Sequence, residues 1–312
     1  MTPESLPPIL AHSARLRAVI DAISDYTGPE RDETPENDEA PVFILASGFR
    51  SGSTLVQRLI MSGGVLVWGE PFMETGWLHA LASSLTWLPG RLHEKADFER
   101  LSESGPLEDQ WVANLHPGVQ RFRQAHRAMI AAFLATPAHE AAQEAGRSRW
   151  GAKFVRLDGN FAYYLRWLFP NARFVFCLRD PMAAFQSYRR NVGNYAAHPQ
   201  DSGWVLTPTW RINSAERFFA MTHHLMGSLI AAAAESPETV ILLRFEELVG
   251  DGAALAEMEE RLQLRMDARV LDRKLGGGMR KRSAKAPLTD EERSAIERWR
   301  PRFEAFGYGA EA

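Results

Sequence analysis

Val42-Phe43-Ile44-Leu45-Ala46-Ser47-Gly48-Phe49-Arg50-Ser51-Gly52-Ser53-Thr54-Leu55 is the stretch on which the fold turns. Val42 to Leu45 form a short apolar run of the kind that makes a strand buried on both faces. Leu55, Val56, Leu59 and Ile60 then recur at helical spacing. A strand that enters a glycine-containing loop and leaves it as a helix is an anion cradle. Backbone N–H groups and the positive end of the helix dipole converge there. The loop lacks the Gly-Lys-Ser/Thr of a nucleoside triphosphatase, because Ser53 stands where the lysine would follow the second glycine. The cradle therefore points away from ATP hydrolysis and toward transfer of another group.

Outward from this unit the chain alternates strands and helices. Apolar runs at 65–68, 150–155, 173–178 and 240–244 read as strands. Helical patterns occupy 159–169, 211–235 and 246–264, and a last helix starts at Thr289. Asp180-Pro181 is a strong helix start, with Asp as N-cap and Pro in the first turn, and that helix runs to about Asn191. The pattern gives an α/β fold: a P-loop-like three-layer sandwich around a central, mainly parallel sheet of about five strands. Residues 71–149, rich in Trp and without a clear strand, read as a helical insertion, and 192–210 as a loop. Residues 1–40 read as an amphipathic helix over 8–24 and a Pro- and acid-rich linker, leaving 41–312 as a single domain.

Composition limits the partners. With 312 residues, 45% apolar and 24% charged, the chain can bury a large core. A net charge of −3 offers no basic field for nucleic acid, so any anion site is local. The lone cysteine, Cys177, allows no disulfide within the chain and suits a reducing compartment. No run reaches membrane-spanning length and the N-terminus lacks a signal-peptide pattern, so a cytoplasmic location is expected. The sequence sets no oligomeric state.

Three constellations carry chemistry. In Arg50-Ser51-Gly52-Ser53-Thr54, Gly52 permits close backbone approach, the hydroxyls sit at the helix start, and Arg50 can grip a phosphate in bidentate fashion. The alternative is an ordinary turn capped by Ser51 or Ser53. Arg179 ends a buried strand, where open α/β sheets bind ligands, and Ser187 lies about two helical turns on. The alternative is an Arg paired with Asp180 and a surface Ser. The run 276–285 carries Arg280, Lys281, Arg282 and Lys285 after three glycines, either a flap over an anion or a solvated basic loop. No His/Cys/carboxylate cluster with metal-ligand spacing is visible, so no metal is expected.

In this order and near these spacings, the three pieces resemble the PAPS-dependent sulfotransferase family, closest to its bacterial and tyrosylprotein branch. PAPS is 3′-phosphoadenosine 5′-phosphosulfate, and PAP is the 3′,5′-bisphosphate left after transfer. Arg50 to Leu55 is similar to the family's 5′-phosphosulfate loop, commonly Pro-Arg/Lys-Ser-Gly-Ser/Thr-Thr-Leu/Trp, with Phe49 in place of the proline. Leu178-Arg179-Asp180-Pro181 through Ser187 resembles its 3′-phosphate motif, and Leu243-Arg244-Phe245-Glu246-Glu247-Leu248 its Arg-Tyr-Glu-Asp-Leu strand end. The likeness covers about 41–70, 150–191 and 239–300. The Gly-x-x-Gly-x-Trp-Lys ending of the cytosolic flap is absent.

The resemblance implies sulfuryl transfer from PAPS to an acceptor hydroxyl, and the many Trp and Phe residues favour a small, apolar or aromatic acceptor. It makes Glu70, directly after the second strand and expected beside the anion loop, the catalytic base. Trp68, Phe72 and Trp77 would surround that carboxylate with apolar walls. Glu74, His79 and His116 are the competing bases. Lys153, at the end of the third strand, would stabilise the transferring group and share the leaving phosphate with Arg50. Ser51, Gly52, Ser53 and Thr54 would bind the 5′ end. Arg179 and Ser187, helped by Arg280, Lys281 or Arg282, would bind the 3′-phosphate. The competing readings are a P-loop small-molecule kinase and a non-catalytic PAP-binding module on the same fold.

Overall fold

The structure, a computed structural model, describes residues 15–22, 40–71, 77–87, 105–109, 125–126, 128–192, 212–250, 252–273 and 287–309. Strand β1, Val42–Ala46, is buried at every position. It is flanked by β3, Arg149–Phe154, and β4, Arg173–Leu178, with β2, Val65–Gly69, and β5, Val240–Arg244, at the edges. The order β2-β3-β1-β4-β5 is parallel throughout. Such a sheet needs cover on both faces, which is why its strands read as continuous apolar runs.

Alternation along the strands sorts side chains between the two layers. Phe43, Leu45, Ala152, Phe154, Phe174 and Phe176 face helix α4, Gly159–Leu168, and helix α3, Thr136–Glu144. The Phe43 ring is the hub of this layer, 5.8 Å from Trp150 and 5.6 Å from both Phe169 and Phe174. Val42, Ile44, Ala46, Val175, Cys177, Ile241 and Leu243 face the other layer, helix α1, Ser53–Ser62, and helix α7, Ala253–Leu262. A third cluster joins helix α5, Pro181–Val192, to helix α6, Ala215–Glu235, and helix α8, Asp290–Glu304.

Helix boundaries follow local hydrogen-bond chemistry. Asp158 caps α4 through the N–H groups of Asn160 and Phe161. Asp180 accepts the Ala183 N–H at 2.6 Å, the N-cap expected at α5. Thr289 and Glu292 form a capping box on α8. Two expected helices are shorter than their apolar pattern. Helix α6 begins at Ala215 because the Ser214 side chain takes the Arg217 N–H. The span 246–264 divides into one turn, Phe245–Leu248, and α7, which starts after Gly252 at φ 82°.

The described part of the insertion is helical: helix α2, Trp77–Ser83, 3-10 turns at Ser84–Trp87 and Leu107–Asp109, a π turn at Ala131–Ala135, and α3. Residues 15–22 are also helical, and they insert Leu16 and Ile20 into the α4-side core. The rest of 1–40, apart from Ala40, and most of 192–210 lie outside the described residues. No helix among the described residues is long and apolar enough to cross a membrane.

One placement differs from expectation. The β2 strand pairs with β3, not β1, so the anion loop is not the immediate neighbour of Glu70. Strand β3 fits between because Gly151 meets Val42 without a side chain. A Cβ at that position would lie 2.2 Å from the Val42 carbonyl oxygen.

Candidate active site

The parallel register brings five strand ends to one edge, where open α/β sheets bind ligands. Gly69 aligns with Lys153, Ile44 with Lys153, Ala46 with Cys177, and Leu178 with Arg244. The residues that leave these strands, Ser47, Glu70, Arg179 and Phe245, therefore share a rim.

The loop from β1 to α1 is built from alternating left-handed residues: Gly48 at φ 112°, Arg50 at 66° and Gly52 at 90°. Such alternation turns backbone N–H groups inward and makes an anion-binding concavity. Gly52 is the N-cap of α1, and no side chain caps the helix. Neither Ser51 nor Ser53 caps it, so the ordinary capped turn is not what forms. The Ser51 hydroxyl is buried without a hydrogen-bond partner. A buried polar atom of this kind is costly unless a ligand completes it.

Gly52 also lies directly on Phe245, the first residue after β5. A Cβ at Gly52 would sit 2.1 Å from Phe245 Cδ2. The same ring carries the Arg179 guanidinium, with Cζ 4.4 Å from the centroid. Arg179 donates from Nη1 to the Arg50 carbonyl at 2.9 Å, while its Nε is buried without a partner. Burial lowers the Arg179 pKa, opposed by the nearby carboxylates of Glu246 and Asp180. Glu246 in turn accepts the Asp180 N–H at 3.0 Å. Arg179 is thus held by the loop and the ring, and does not simply pair with Asp180.

Two further contacts close the arrangement. Arg50 donates from Nε to the Ser187 Oγ at 3.1 Å, joining the loop to α5. Lys153, about 5% exposed, donates from Nζ to Glu70 Oε1 at 2.8 Å and lies 3.5 Å from Thr54 Oγ1. Glu70 itself adopts φ 51° and gives its N–H to the Lys153 carbonyl at 3.0 Å. Among the described residues, the neighbour of the Glu70 carboxylate is therefore a cation, Lys153. Trp68 packs against the α4-side core. Phe72 and Glu74, the side chains of Trp77 and His79, and His116, Arg280, Lys281, Arg282 and Lys285 lie outside the described residues.

Arg50, Ser51, Gly52, Ser53, Thr54, Glu70, Lys153, Arg179 and Ser187 thus gather at one rim. Sequence reasoning places Phe245 in the motif at the β5 end but gives it no role at the site. Its signal was available, an aromatic directly after a strand end, but the contact with Gly52 spans nearly two hundred residues. Among the described residues, no three or more His, Cys, Asp or Glu side chains form a metal-holding group. The rim can hold two anionic groups, one at the α1 terminus and one between Arg179 and α5, with a carboxylate–lysine pair alongside.

No curated protein matches the sequence. Solved structures similar to the chain include three sulfotransferases. The sulfotransferase domain from the curacin biosynthetic pathway has 13% identity and a TM-score of 0.45, covering 86% of this chain and 98% of its own. The sulfotransferase domain from the Synechococcus PCC 7002 olefin synthase has 18% identity and a TM-score of 0.43, covering 88% and 98%. Sulfotransferase STF9 from Mycobacterium avium has 14% identity and a TM-score of 0.42, covering 98% and 85%. The pattern of the sulfotransferase family matches residues 41–267, from β1 to just beyond α7, and on that match this chain belongs to the sulfotransferase family.

Proposed function

We propose that this sulfotransferase moves a sulfuryl group from PAPS to a hydroxyl on a small-molecule acceptor and releases PAP. The observation that carries the reading is the Arg50–Ser187 hydrogen bond, together with the Arg179 bond to the Arg50 carbonyl. These contacts merge the loop and the α5 motif into one clamp for a ligand with two phosphate groups. The residues fit such a donor. The uncapped α1 terminus, the unpartnered Ser51 hydroxyl and the unpartnered Arg179 Nε each offer donors to an anion. In this reading Ser51, Ser53, Thr54 and the Gly52 backbone hold the 5′ end, while Arg179 and Ser187 hold the 3′-phosphate.

The donor supplies a sulfuryl group activated by its anhydride bond to phosphate. Lys153 offsets charge on the group in transit, and Arg50 offsets charge on the oxygen left on the phosphate. Glu70 takes the acceptor's hydroxyl proton as the acceptor oxygen bonds to sulfur and the sulfur–oxygen bond to phosphate breaks. The 2.8 Å ion pair with Lys153 holds the Glu70 carboxylate in place at the rim. The same lysine reaches Thr54 Oγ1 at 3.5 Å and so links the carboxylate–lysine pair to the loop.

A kinase reading finds no lysine within the loop. The module reading is separated by turnover. With labelled PAPS and a panel of acceptor alcohols and phenols, wild type transfers label, and Glu70→Gln falls by about 10²-fold or more while still binding PAP. Unchanged turnover in Glu70→Gln removes Glu70 as the base. Absence of transfer across the panel, with PAP bound, favours the non-catalytic module.

A further inference from the structure

The loop that leads into α1 has another, non-polar link to α5. The Phe49 ring lies 5.7 Å from the Tyr188 ring, tilted by 34°. On Phe49 sits the Arg156 guanidinium, with Cζ 4.8 Å from the centroid. Arg156 and Tyr188 are both about 8% exposed, and Tyr188 continues into Phe218 at 5.2 Å and so into the α6 core. Phe49 immediately precedes Arg50, and Tyr188 immediately follows Ser187. The stack therefore runs beside the Arg50–Ser187 hydrogen bond as a second rung between the same two segments.

The two rungs have different fates when a ligand arrives. Arg50 and Ser187 are both assigned to phosphates, so a bound donor competes for their mutual hydrogen bond. The Phe49–Tyr188 ring contact uses no atom assigned to a phosphate and persists. The loop itself alternates left-handed residues at 48, 50 and 52, and Phe49 lies within that alternation. Where the resembled motif has a proline, which has no aromatic ring to stack, this chain fastens the loop through a side chain.

We propose that Phe49, clamped between Arg156 and Tyr188, is a positioning residue that sets the spacing between the 5′ and 3′ phosphate subsites. This rests on the PAPS reading above. It predicts a specific deficit: loss of Phe49 weakens the advantage of a ligand that spans both subsites more than it weakens a ligand that fills one.

The test titrates PAP and 5′-AMP, which differ only in the 3′-phosphate, into the full chain. Phe49→Leu keeps the apolar bulk and removes the ring. It is expected to lower the PAP-to-AMP affinity ratio by about tenfold, the scale of one aromatic pair and one cation–π contact. Phe49→Tyr is expected to restore the ratio. Tyr188→Leu breaks the stack from the α5 side and is expected to reproduce the drop, with Tyr188→Phe silent, so the test does not depend on one variant folding. An unchanged ratio in both leucine variants, or equal losses for both ligands, overturns the role of Phe49. A wild-type chain indifferent to the 3′-phosphate instead overturns the donor reading on which the role rests.

Discussion

Replacing Gly52 with alanine isolates the geometry that makes the loop a phosphate site. Two penalties are separable. A non-glycine residue at φ 90° is strained by about 1–3 kcal/mol. The new Cβ would also lie 2.1 Å from Phe245 Cδ2, so the ring must move, an overpacking term of about 1–3 kcal/mol. Gly146 supplies the control, because it has φ 66° with no atom within 4 Å of its would-be Cβ. Urea unfolding of Gly146→Ala then reports backbone strain alone, and Gly52→Ala should exceed it by about 1–3 kcal/mol. Displacing Phe245 also withdraws the platform under Arg179, 4.4 Å above it, so PAP affinity measured by calorimetry should fall by about tenfold. In a Phe245→Ala background the steric excess should vanish while the strain remains. If Gly52→Ala is no less stable than Gly146→Ala and binds PAP normally, the close loop–ring contact is not what shapes the site.

Other consequences lie away from the loop. His126 is buried against the Tyr164 hydroxyl at 2.5 Å, and burial lowers its pKa from 6.5 to about 4. The unfolded chain therefore binds more protons than the folded one between those values. Stability should fall by about 3 kcal/mol as pH drops from about 6.5 to about 4, and His126→Gln should flatten that slope in chemical unfolding. Arg189 donates to Glu292 at 2.7 Å, and Glu292 also completes the α8 capping box. Arg189→Met should strand a buried carboxylate and lower stability by about 3 kcal/mol, and adding Glu292→Gln should recover part of that loss in thermal unfolding.

Much of this was legible in the chain because parallel strands advertise themselves. A strand buried on both faces is a short apolar run, and all five stand between helical patterns or turns. The rim was legible for the same reason: Arg179, Lys153 and Glu70 are polar residues at or just past the ends of apolar runs, where a side chain either meets an anion or is costly. What stayed hidden depends on strand order and on contacts distant in sequence. Lys153 meets Glu70 only because β3 lies between β2 and β1, and no local pattern encodes that insertion except the lone Gly151. Phe245 under Gly52 and Arg156 on Phe49 are side-chain contacts across elements, invisible to periodicity. The start of α6 was misplaced because a serine cap outweighed an apolar pattern that continued upstream.

The rim is proposed to be a clamp for two phosphate groups that needs no nucleoside triphosphate. Calorimetric titration of the wild-type chain with PAP and, separately, with Mg-ATP tests it most directly. Tight PAP binding is expected, weakened by about tenfold or more in Arg179→Ala, with Mg-ATP binding weakly or not at all. Tight Mg-ATP binding without affinity for PAP would contradict it.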